Sequence, residues 1–265
     1  MVKKVFALFV MVIVLYACAS VAVTGRKQLS LVSNAEIIPM VNQQYAEIIH
    51  KGPLSTNHEQ TQMVKRVGAR IQRAVEEYMA SKGLSSELDG FAWEFNLIDD
   101  PKTVNAWCMP GGKVAFYTGI MPICKDEAGI AVVMGHEVAH AIANHGRERM
   151  SQQMLAQYGL GTLSALMGQN PTAGKDLLMQ AIGAGTNIGM LKFSREHESE
   201  ADHIGLIFMA MAGYDPNEAP KFWERMTQTG GQEPPEFMST HPSHSSRIKD
   251  LQGWIPEAMQ YYKKK

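Results

Sequence analysis

Gly135-His136-Glu137-Val138-Ala139-His140 contains the pattern His-Glu-x-x-His, from which the other elements of the fold can be interpreted. Residues four apart lie on one face of a helix, so His136 and His140 can converge on one zinc ion. Glu137 is rotated by about 100° and can reach water beside that ion. The rest of residues 130–142 is apolar nearly all round, which predicts a buried helix. Two imidazoles and a carboxylate are unfavourable in such a helix unless they have a partner, and a metal ion is the simplest one.

A catalytic zinc site also requires a third protein ligand and one open position. The extended pattern with another histidine six residues further on is excluded, because that position is Gly146. His145 lies one residue short and nearly opposite His136 on the helix. We therefore expect His145 to be a helix-end residue or a group on the substrate side, and not a ligand.

Three glutamates downstream compete for the role of third ligand. Glu196 and Glu200 lie on a helix face that we expect to be solvated. Glu198 points about 200° away from Glu196, towards a small apolar face that also carries Asp202. Buried acids need partners, so Glu198 fits as the third zinc ligand and Asp202 as the group that orients a ligand histidine.

The remaining patterns predict a mostly helical α+β fold, with the His-Glu-x-x-His helix packed against a second ligand helix and a small antiparallel sheet (zincin-like). Residues 24–265 are expected to form a single domain. Gly and Met residues are frequent in residues 159–190, which predicts a helical hairpin that acts as a lid or simply packs. The other predicted elements are helices over Ser33–His50 and Thr56–Ala80, a strand over Ala92–Ile98, and a hairpin of Val104–Met109 and Lys113–Thr118.

The composition excludes several classes of protein. The 265 residues include 25 Lys+Arg and 26 Asp+Glu, which argues against a basic nucleic-acid binder. Hydrophobic residues make up 45% and charged residues 19%, which excludes a disordered chain. Three cysteines are too few for a disulfide scaffold. Two of them, Cys108 and Cys124, either pair with each other or remain buried free thiols.

The N-terminus has the pattern of an export signal, because two lysines precede an apolar run from Val5 to Ala17. Leu15-Tyr16-Ala17-Cys18 resembles a lipobox, in which Cys18 is lipidated. Ala17-Cys18-Ala19 also resembles a cleavage site, and an apolar run that continues to Val23 is just long enough to span a membrane. Each interpretation makes residues 1–18 a signal or an anchor and places the remaining chain outside the cytoplasm.

His136-Glu137-x-x-His140 followed by Glu198-x-x-Ala201-Asp202 resembles the gluzincin family of zinc metallopeptidases that includes HtpX and the CAAX prenyl proteases. Further motifs resemble the bacterial periplasmic lipoprotein branch of that family. These motifs are Thr24-Gly25-Arg26-Lys27-Gln28-Leu29, Asn105-Ala106, Pro110-Gly111-Gly112-Lys113, Tyr117-Thr118-Gly119 and Thr240-His241-Pro242 with Arg247.

The resemblance implies that Glu198 is the third zinc ligand. It also implies that His241 lies at the active site, where it caps the zinc or stabilises the transition state, with Arg247 nearby. It implies an exported periplasmic protein, anchored by a lipid on Cys18 to the outer membrane. The partners would then be unfolded or extended polypeptides, a membrane and the envelope assembly machinery.

The expected function is that of a zinc-dependent endopeptidase for unfolded or misassembled cell-envelope proteins. Glu137 would transfer the proton, and His241 or Arg247 would stabilise the oxyanion. An open strand edge at Lys113–Thr118 could bind an extended peptide. Two alternatives remain: a chaperone-like binding protein with no proteolysis, and a latent peptidase whose open zinc position is filled by His241. The intact Glu137 favours a peptidase.

Overall fold

Most of the chain that the structure describes is helical. The computed structural model describes residues 18–158, 171–181, 194–229, 236–241 and 246–263. The helices are α1 (Asn34–Lys51), α2 (His58–Ser81), α3 (Met121–Cys124), α4 (Glu127–Ile142), α5 (His145–Tyr158), α6 (Pro171–Ala181), α7 (Arg195–Met211), α8 (Glu218–Thr229), α9 (Glu236–Thr240) and α10 (Arg247–Ala258). Short 3₁₀ turns cover Ser85–Leu88, Thr118–Ile120 and Met259–Tyr261.

Two small sheets accompany the helices. The strands are β1 (Cys18–Ser20), β2 (Lys27–Leu29), β3 (Glu94–Ile98), β4 (Ala106–Met109) and β5 (Lys113–Tyr117). β1 and β2 form an antiparallel hairpin, and the second sheet has the order β3-β5-β4. In that sheet β3 runs parallel to β5, while β4 is antiparallel to it. The turn between β4 and β5 uses Gly111 and Gly112 at φ +82° and +77°, a backbone region that glycine enters without strain.

Local sequence signals fix where the two site helices begin. The Asp126 side chain accepts a hydrogen bond from the Gly129 N–H at the start of α4. The Ser194 hydroxyl accepts one from the His197 N–H at the start of α7. Such side-chain caps satisfy N–H groups that a helix leaves without an internal partner. Asn144, at φ +59°, separates α4 from α5 and turns the chain directly after the His-Glu-x-x-His motif.

α4 is the central helix of the fold. Each of its residues from Gly129 to Ile142 is buried. It packs against α7, α2, α8 and strand β4. An element that is covered on all sides must be apolar nearly all round, as the sequence of α4 is. The polar residues of its motif are therefore enclosed in the core of the molecule.

The structure confirms the mostly helical α+β fold, the two N-terminal helices and the β4–β5 hairpin. It shows that an open edge at Lys113–Thr118 is wrong, since β5 is the central strand and is hydrogen-bonded on both sides. The sheet is also mixed where an antiparallel one was expected. The extent of the domain, residues 24–265, stays a prediction. Of the segment 159–190, only helix α6 lies within the described residues.

The start of the described chain bears on the N-terminal predictions. Residues Cys18–Ser20 form a strand, and the Val21 side chain is completely buried. Residues 18–23 are therefore not helical, and the remainder of the predicted signal or anchor, residues 1–17, lies outside the described residues. Among the described residues, no helix combines the length and the apolar character that a membrane span requires.

Candidate metal centre and active site

The two site helices touch backbone to backbone. A Cβ atom placed on Gly205 of α7 would lie 2.9 Å from the carbonyl carbon of Gly135 and 2.9 Å from the amide nitrogen of His136. A Cβ placed on Gly135 would lie 2.8 Å from the Gly205 carbonyl oxygen. Both glycines thus remove the atoms that would hold α4 and α7 apart. The acidic residues of α7 can therefore reach the histidines of α4.

Four buried side chains converge where these helices meet. His136, His140, Glu198 and His241 each direct one metal-binding atom into a group whose members all lie within 4.8 Å of one another. His140 Nε2 lies 3.3 Å from Glu198 Oε1, and His136 Nε2 lies 3.5 Å from Glu198 Oε2. The structure thus brings the two motif histidines together with Glu198, as the sequence predicts.

His241 occupies the remaining side of this group. It directly follows helix α9, and its Nδ1 atom lies 2.9 Å from Glu198 Oε1 and 3.1 Å from His136 Nε2. Its Nε2 atom lies 3.4 Å from Glu137 Oε1. His241 therefore lies between the three predicted ligands and Glu137, and it is only 2% exposed.

Asp202 and Arg247 lie behind the cluster. Asp202 Oδ1 lies 2.9 Å from His136 Nδ1 and accepts a 2.7 Å hydrogen bond from Arg247 Nη2. Arg247 Nη1 lies 3.0 Å from Glu198 Oε2, and the guanidinium covers the ring of Trp223 at 3.3 Å. Arg247 is thus a buried countercharge for two acids. Its guanidinium contacts one predicted ligand directly, Glu198, and a second, His136, through Asp202.

The pKa values of the two buried glutamates of the site are shifted in opposite directions. Burial raises the pKa of Glu137 above its ordinary value, against the effect of the nearby His241 and His136. Burial would also raise the pKa of Glu198, but His241, Arg247 and His136 hold it well below the usual range. The surroundings therefore favour the ionised form of Glu198, whereas the proton affinity of the Glu137 carboxylate is increased. Among the described residues Glu137 Oε1 and Glu198 Oε2 have charge-pair contacts with His241 Nε2 and Arg247 Nη1, but neither oxygen accepts a hydrogen bond of good geometry.

His145 lies at a helix end, as expected, but its neighbours could not be inferred from the sequence. It begins helix α5, is completely buried, and lies 2.8 Å from His140 between their Nδ1 atoms. Its Nε2 atom lies 2.8 Å from Glu200 Oε2. Glu200 is buried as well, so the prediction that it is solvated is wrong, whereas Glu196 is exposed as expected. Glu200 is buried because Arg26 Nε donates a 2.7 Å hydrogen bond to its carboxylate.

The site leaves little open space within the described residues. A cavity of about 10 Å³ lies beside Glu137 and His140, and Cys108, Asn144 and Arg147 also line it. That volume holds about one water molecule. Cys108 and Cys124 are both buried free thiols, which excludes a disulfide between them.

The donor set fits zinc. Two imidazoles and one carboxylate with one further position are typical of catalytic zinc sites, and borderline-soft nitrogen donors favour zinc over magnesium or calcium. A model of peptidase family M48 matches residues 65–255, which include His136, His140, Glu198 and His241. The chain belongs to peptidase family M48. Peptidases of this family use zinc, and the buried group of this M48 chain can hold one ion.

Individual relatives agree with the family. The mitochondrial metalloendopeptidase OMA1 of Schizosaccharomyces pombe is 38% identical over 191 residues, which are 71% of this chain and 53% of that protein. Human OMA1 is 32% identical over 63% of this chain and 33% of its own length. The β-barrel assembly-enhancing protease of Escherichia coli is 33% identical over 60% of this chain and 33% of its own. This M48 chain spans about half the length or less of these relatives.

The comparisons correct the predicted localisation. Four relatives that are 32–38% identical to this chain are named as mitochondrial OMA1 metalloendopeptidases. The prediction of a periplasmic protein, with a lipid anchor on Cys18 in the outer membrane, is therefore wrong. The physical reason is that a basic start followed by an apolar run indicates only a targeting or anchoring segment. Charge and hydropathy do not identify the membrane.

Proposed function

We propose that this chain is a zinc-dependent endopeptidase that hydrolyses peptide bonds in unfolded or misassembled polypeptides. The observation that carries the proposal is the buried cluster of two histidines and an ionised glutamate with a second glutamate beside it. His136, His140 and Glu198 would hold the ion. Glu137 would be the catalytic acid and base.

Zinc, when bound, supplies a Lewis acid that makes water nucleophilic near neutral pH and polarises the scissile carbonyl. The Glu137 carboxylate accepts a proton from the attacking water and then delivers it to the nitrogen of the leaving amine. The burial of Glu137 supports this role, because it raises the pKa of the carboxyl towards neutral pH. A group whose pKa lies near the working pH both accepts and releases a proton efficiently. The cavity beside it has the volume of one water.

Asp202 and Arg247 would act on the ligands. The Asp202 carboxylate accepts a hydrogen bond from His136 Nδ1 and so leaves the Nε2 lone pair directed at the cluster. Arg247 balances the charges of Glu198 and Asp202, and the Trp223 ring covers its other face. Both contacts support a positioning role for Arg247. Zinc, when bound, would also supply the positive charge that stabilises the oxyanion.

We include a resting state in the proposal, in which His241 is the fourth ligand. The distance of 2.9 Å between His241 Nδ1 and Glu198 Oε1 supports this, as does the position of its Nε2 atom beside Glu137. In that state a peptide cannot reach the catalytic centre. Substrate binding would have to displace His241 from the cluster.

The shape of the site supports an extended, unfolded substrate. Strand β4 is an edge strand of its sheet and packs against α4. The Tyr117 N–H donates to the Asn105 carbonyl, so alternate residues from Asn105 onward pair with β5. The backbone groups of Cys108 then point away from β5, beside the catalytic cavity. An extended peptide can add to this edge, whereas a folded protein presents no free strand.

The test is degradation of casein by the full chain, compared with Glu137→Gln and with Glu196→Gln. Glu196 is an exposed glutamate of the same region and serves as the matched control. We expect the wild type and Glu196→Gln to cleave casein, and both to stop when a chelator is added. Glu137→Gln is expected to bind zinc and to lose cleavage by at least about a hundredfold.

Cleavage that survives Glu137→Gln refutes the catalytic role of Glu137. Casein that is bound and left intact by the wild type, by Glu137→Gln and also by His241→Ala refutes the endopeptidase. That last result would support the chaperone-like alternative, since binding without hydrolysis would be all that the chain does.

A further inference from the structure

A chain of buried polar side chains leads away from the metal cluster behind His140. His140 Nδ1 contacts His145 Nδ1 at 2.8 Å, and His145 Nε2 contacts Glu200 Oε2 at 2.8 Å. Arg26 Nε donates to the same Glu200 oxygen at 2.7 Å, and the Thr24 hydroxyl donates to the other one. His145 is 0% exposed and Glu200 is 9% exposed, so protein groups supply these contacts in place of water.

The chemistry of these groups fixes the direction of each hydrogen bond. An ionised carboxylate only accepts hydrogen bonds, so the His145 Nε2–H group donates to Glu200. A neutral imidazole carries one proton, so His145 Nδ1 is then an acceptor. His140 must therefore donate from its own Nδ1. Its single proton is then on Nδ1, and the lone pair of Nε2 faces Glu198 and His136.

His136 reaches the same state by a shorter route, since Asp202 accepts its Nδ1 proton directly at 2.9 Å. The two motif histidines thus differ in what fixes their protonation. One uses a carboxylate, and the other uses a second histidine backed by a carboxylate. In both cases a proton held on Nδ1 leaves Nε2 as the nitrogen that faces the cluster and can bind a metal ion.

Arg26 belongs to the connection between β1 and β2 and forms three further contacts that hold it in place. Its Nη2 and Nη1 atoms donate to the two oxygens of Glu148 at 2.7 and 3.3 Å, and Nη1 also donates to the Lys27 carbonyl. A bidentate arginine–carboxylate pair fixes orientation as well as charge. The hairpin lies outside residues 65–255, which are those matched by the family model.

We propose that His145, Glu200 and Arg26 are positioning residues for the metal site: Glu200 orients His145, His145 fixes the tautomer of His140, and Arg26 holds Glu200 in place. The N-terminal hairpin is then a part of the site. This inference rests on the proposed function, because it assigns His140 as a zinc ligand through Nε2.

The test uses Glu200→Gln and Arg26→Gln in the full chain. The amide of Glu200→Gln carries no charge and is a weaker acceptor than the carboxylate, and where its NH₂ group faces His145 Nε2 the His145 proton lies on Nδ1 and His140 carries its own proton on Nε2. We expect zinc affinity, measured by competition with a chromophoric chelator, to fall by about 10- to 100-fold in Glu200→Gln. Arg26→Gln is expected to weaken zinc binding by a smaller factor in the same direction.

His203→Ala and Glu257→Gln are the matched controls. They break a 2.7 Å histidine–glutamate pair between α7 and α10 that is partly exposed and separate from the cluster. Zinc affinity is expected to be unchanged in both. Thermal unfolding of each metal-free variant shows whether a loss of affinity comes from a loss of folding.

A second readout is the protonation of the histidine rings, from long-range ¹H–¹⁵N correlation spectra of the zinc-loaded and metal-free proteins. We expect His140 to carry its proton on Nδ1 in the metal-free wild type and to change this pattern in Glu200→Gln. An unchanged His140 tautomer together with unchanged zinc affinity in Glu200→Gln would overturn this inference and leave the proposed function intact. A wild type that binds no zinc would overturn both.

Discussion

The contact between Gly135 and Gly205 leads to a prediction about stability and metal binding together. Gly205→Ala adds one methyl group where two backbones already touch. The new carbon would lie 2.9 Å from two backbone atoms of α4, whereas ordinary contacts begin at 3.4 Å. Neither neighbour is a side chain that could rotate away. The helices must therefore separate by about 0.5 Å or more to reach van der Waals distance.

The magnitude follows from two opposing effects. Overpacking a rigid core site lowers the free energy of unfolding by about 1–3 kcal/mol, and a backbone-to-backbone contact belongs at the upper end. Alanine is the better helix former and returns up to about 1 kcal/mol. The net loss is about 2 kcal/mol, which for a chain of this size lowers Tm by about 4–8 °C. The same shift moves Glu198 away from His136, and zinc affinity should fall roughly tenfold because ligand distances tolerate only about 0.2 Å.

Gly253→Ala is the control for this experiment. Gly253 lies in α10, and nothing lies within 4 Å of the added carbon. Only the higher helix propensity of alanine then acts, and it raises the free energy of unfolding by about 0.5–1 kcal/mol. Calorimetry of the metal-free proteins measures Tm, and chelator competition measures zinc affinity. If Gly205→Ala is as stable as Gly253→Ala and binds zinc as the wild type does, the close approach of the helices does not determine the site.

Three further predictions follow from the buried charges and from the proposed role of His241 as a fourth ligand. His241→Ala should increase casein hydrolysis by about fivefold or more, because no side chain then has to be displaced; a decrease would show that His241 assists the reaction. Burial would raise the pKa of Glu148, but hydrogen bonds and charges from His197 and Arg26 lower it from 4.5 to about 2. These contacts stabilise the fold by about 1–3 kcal/mol above pH 4.5, and this stabilisation is lost as the pH falls towards 2. Urea unfolding should therefore give a lower free energy of unfolding at pH 2 than at pH 5. This difference should be smaller in Arg26→Gln. Arg247→Gln should destabilise the metal-free protein by about 3 kcal/mol, since it leaves buried acids without a countercharge, and the zinc-loaded protein by less; equal losses in both forms would contradict this account.

The sequence contains enough information to locate the cluster. His136, Glu137 and His140 follow one helical pattern, and the rotation between Glu196 and Glu198 separates an exposed acid from a buried one. These are local properties, because a helix fixes the relative directions of its own side chains. The same reasoning makes α4 a buried helix. The prediction was reliable wherever a single element decides the outcome.

The sequence could not predict what depends on partners from elsewhere in the chain. Glu200 looks solvated on its own helix, but in the fold its carboxylate is buried against His145, Thr24 and Arg26, and Arg26 lies 174 residues away. Nor does alternation in a strand reveal its neighbours, so the central position of β5 and its parallel pairing with β3 did not follow from the pattern. The chain turns at Asn144, and this turn brings the His145 ring against the His140 ring. Both residues were expected on one continuous helix, in which the two rings could not have met.

The bond between Arg26 and Glu200 also bears on the order of events during synthesis. The chain is made from its N-terminus, so residues 18–29 emerge long before α7 exists to receive them. The separation of 174 residues makes this one of the contacts that close the largest loops and form late in folding. If the hairpin completes the support of His140, newly made chains acquire their full affinity for zinc only after the C-terminal half has folded. In the proposed peptidase, the unfinished polypeptide would then be kept from premature proteolytic activity by the geometry of its own fold.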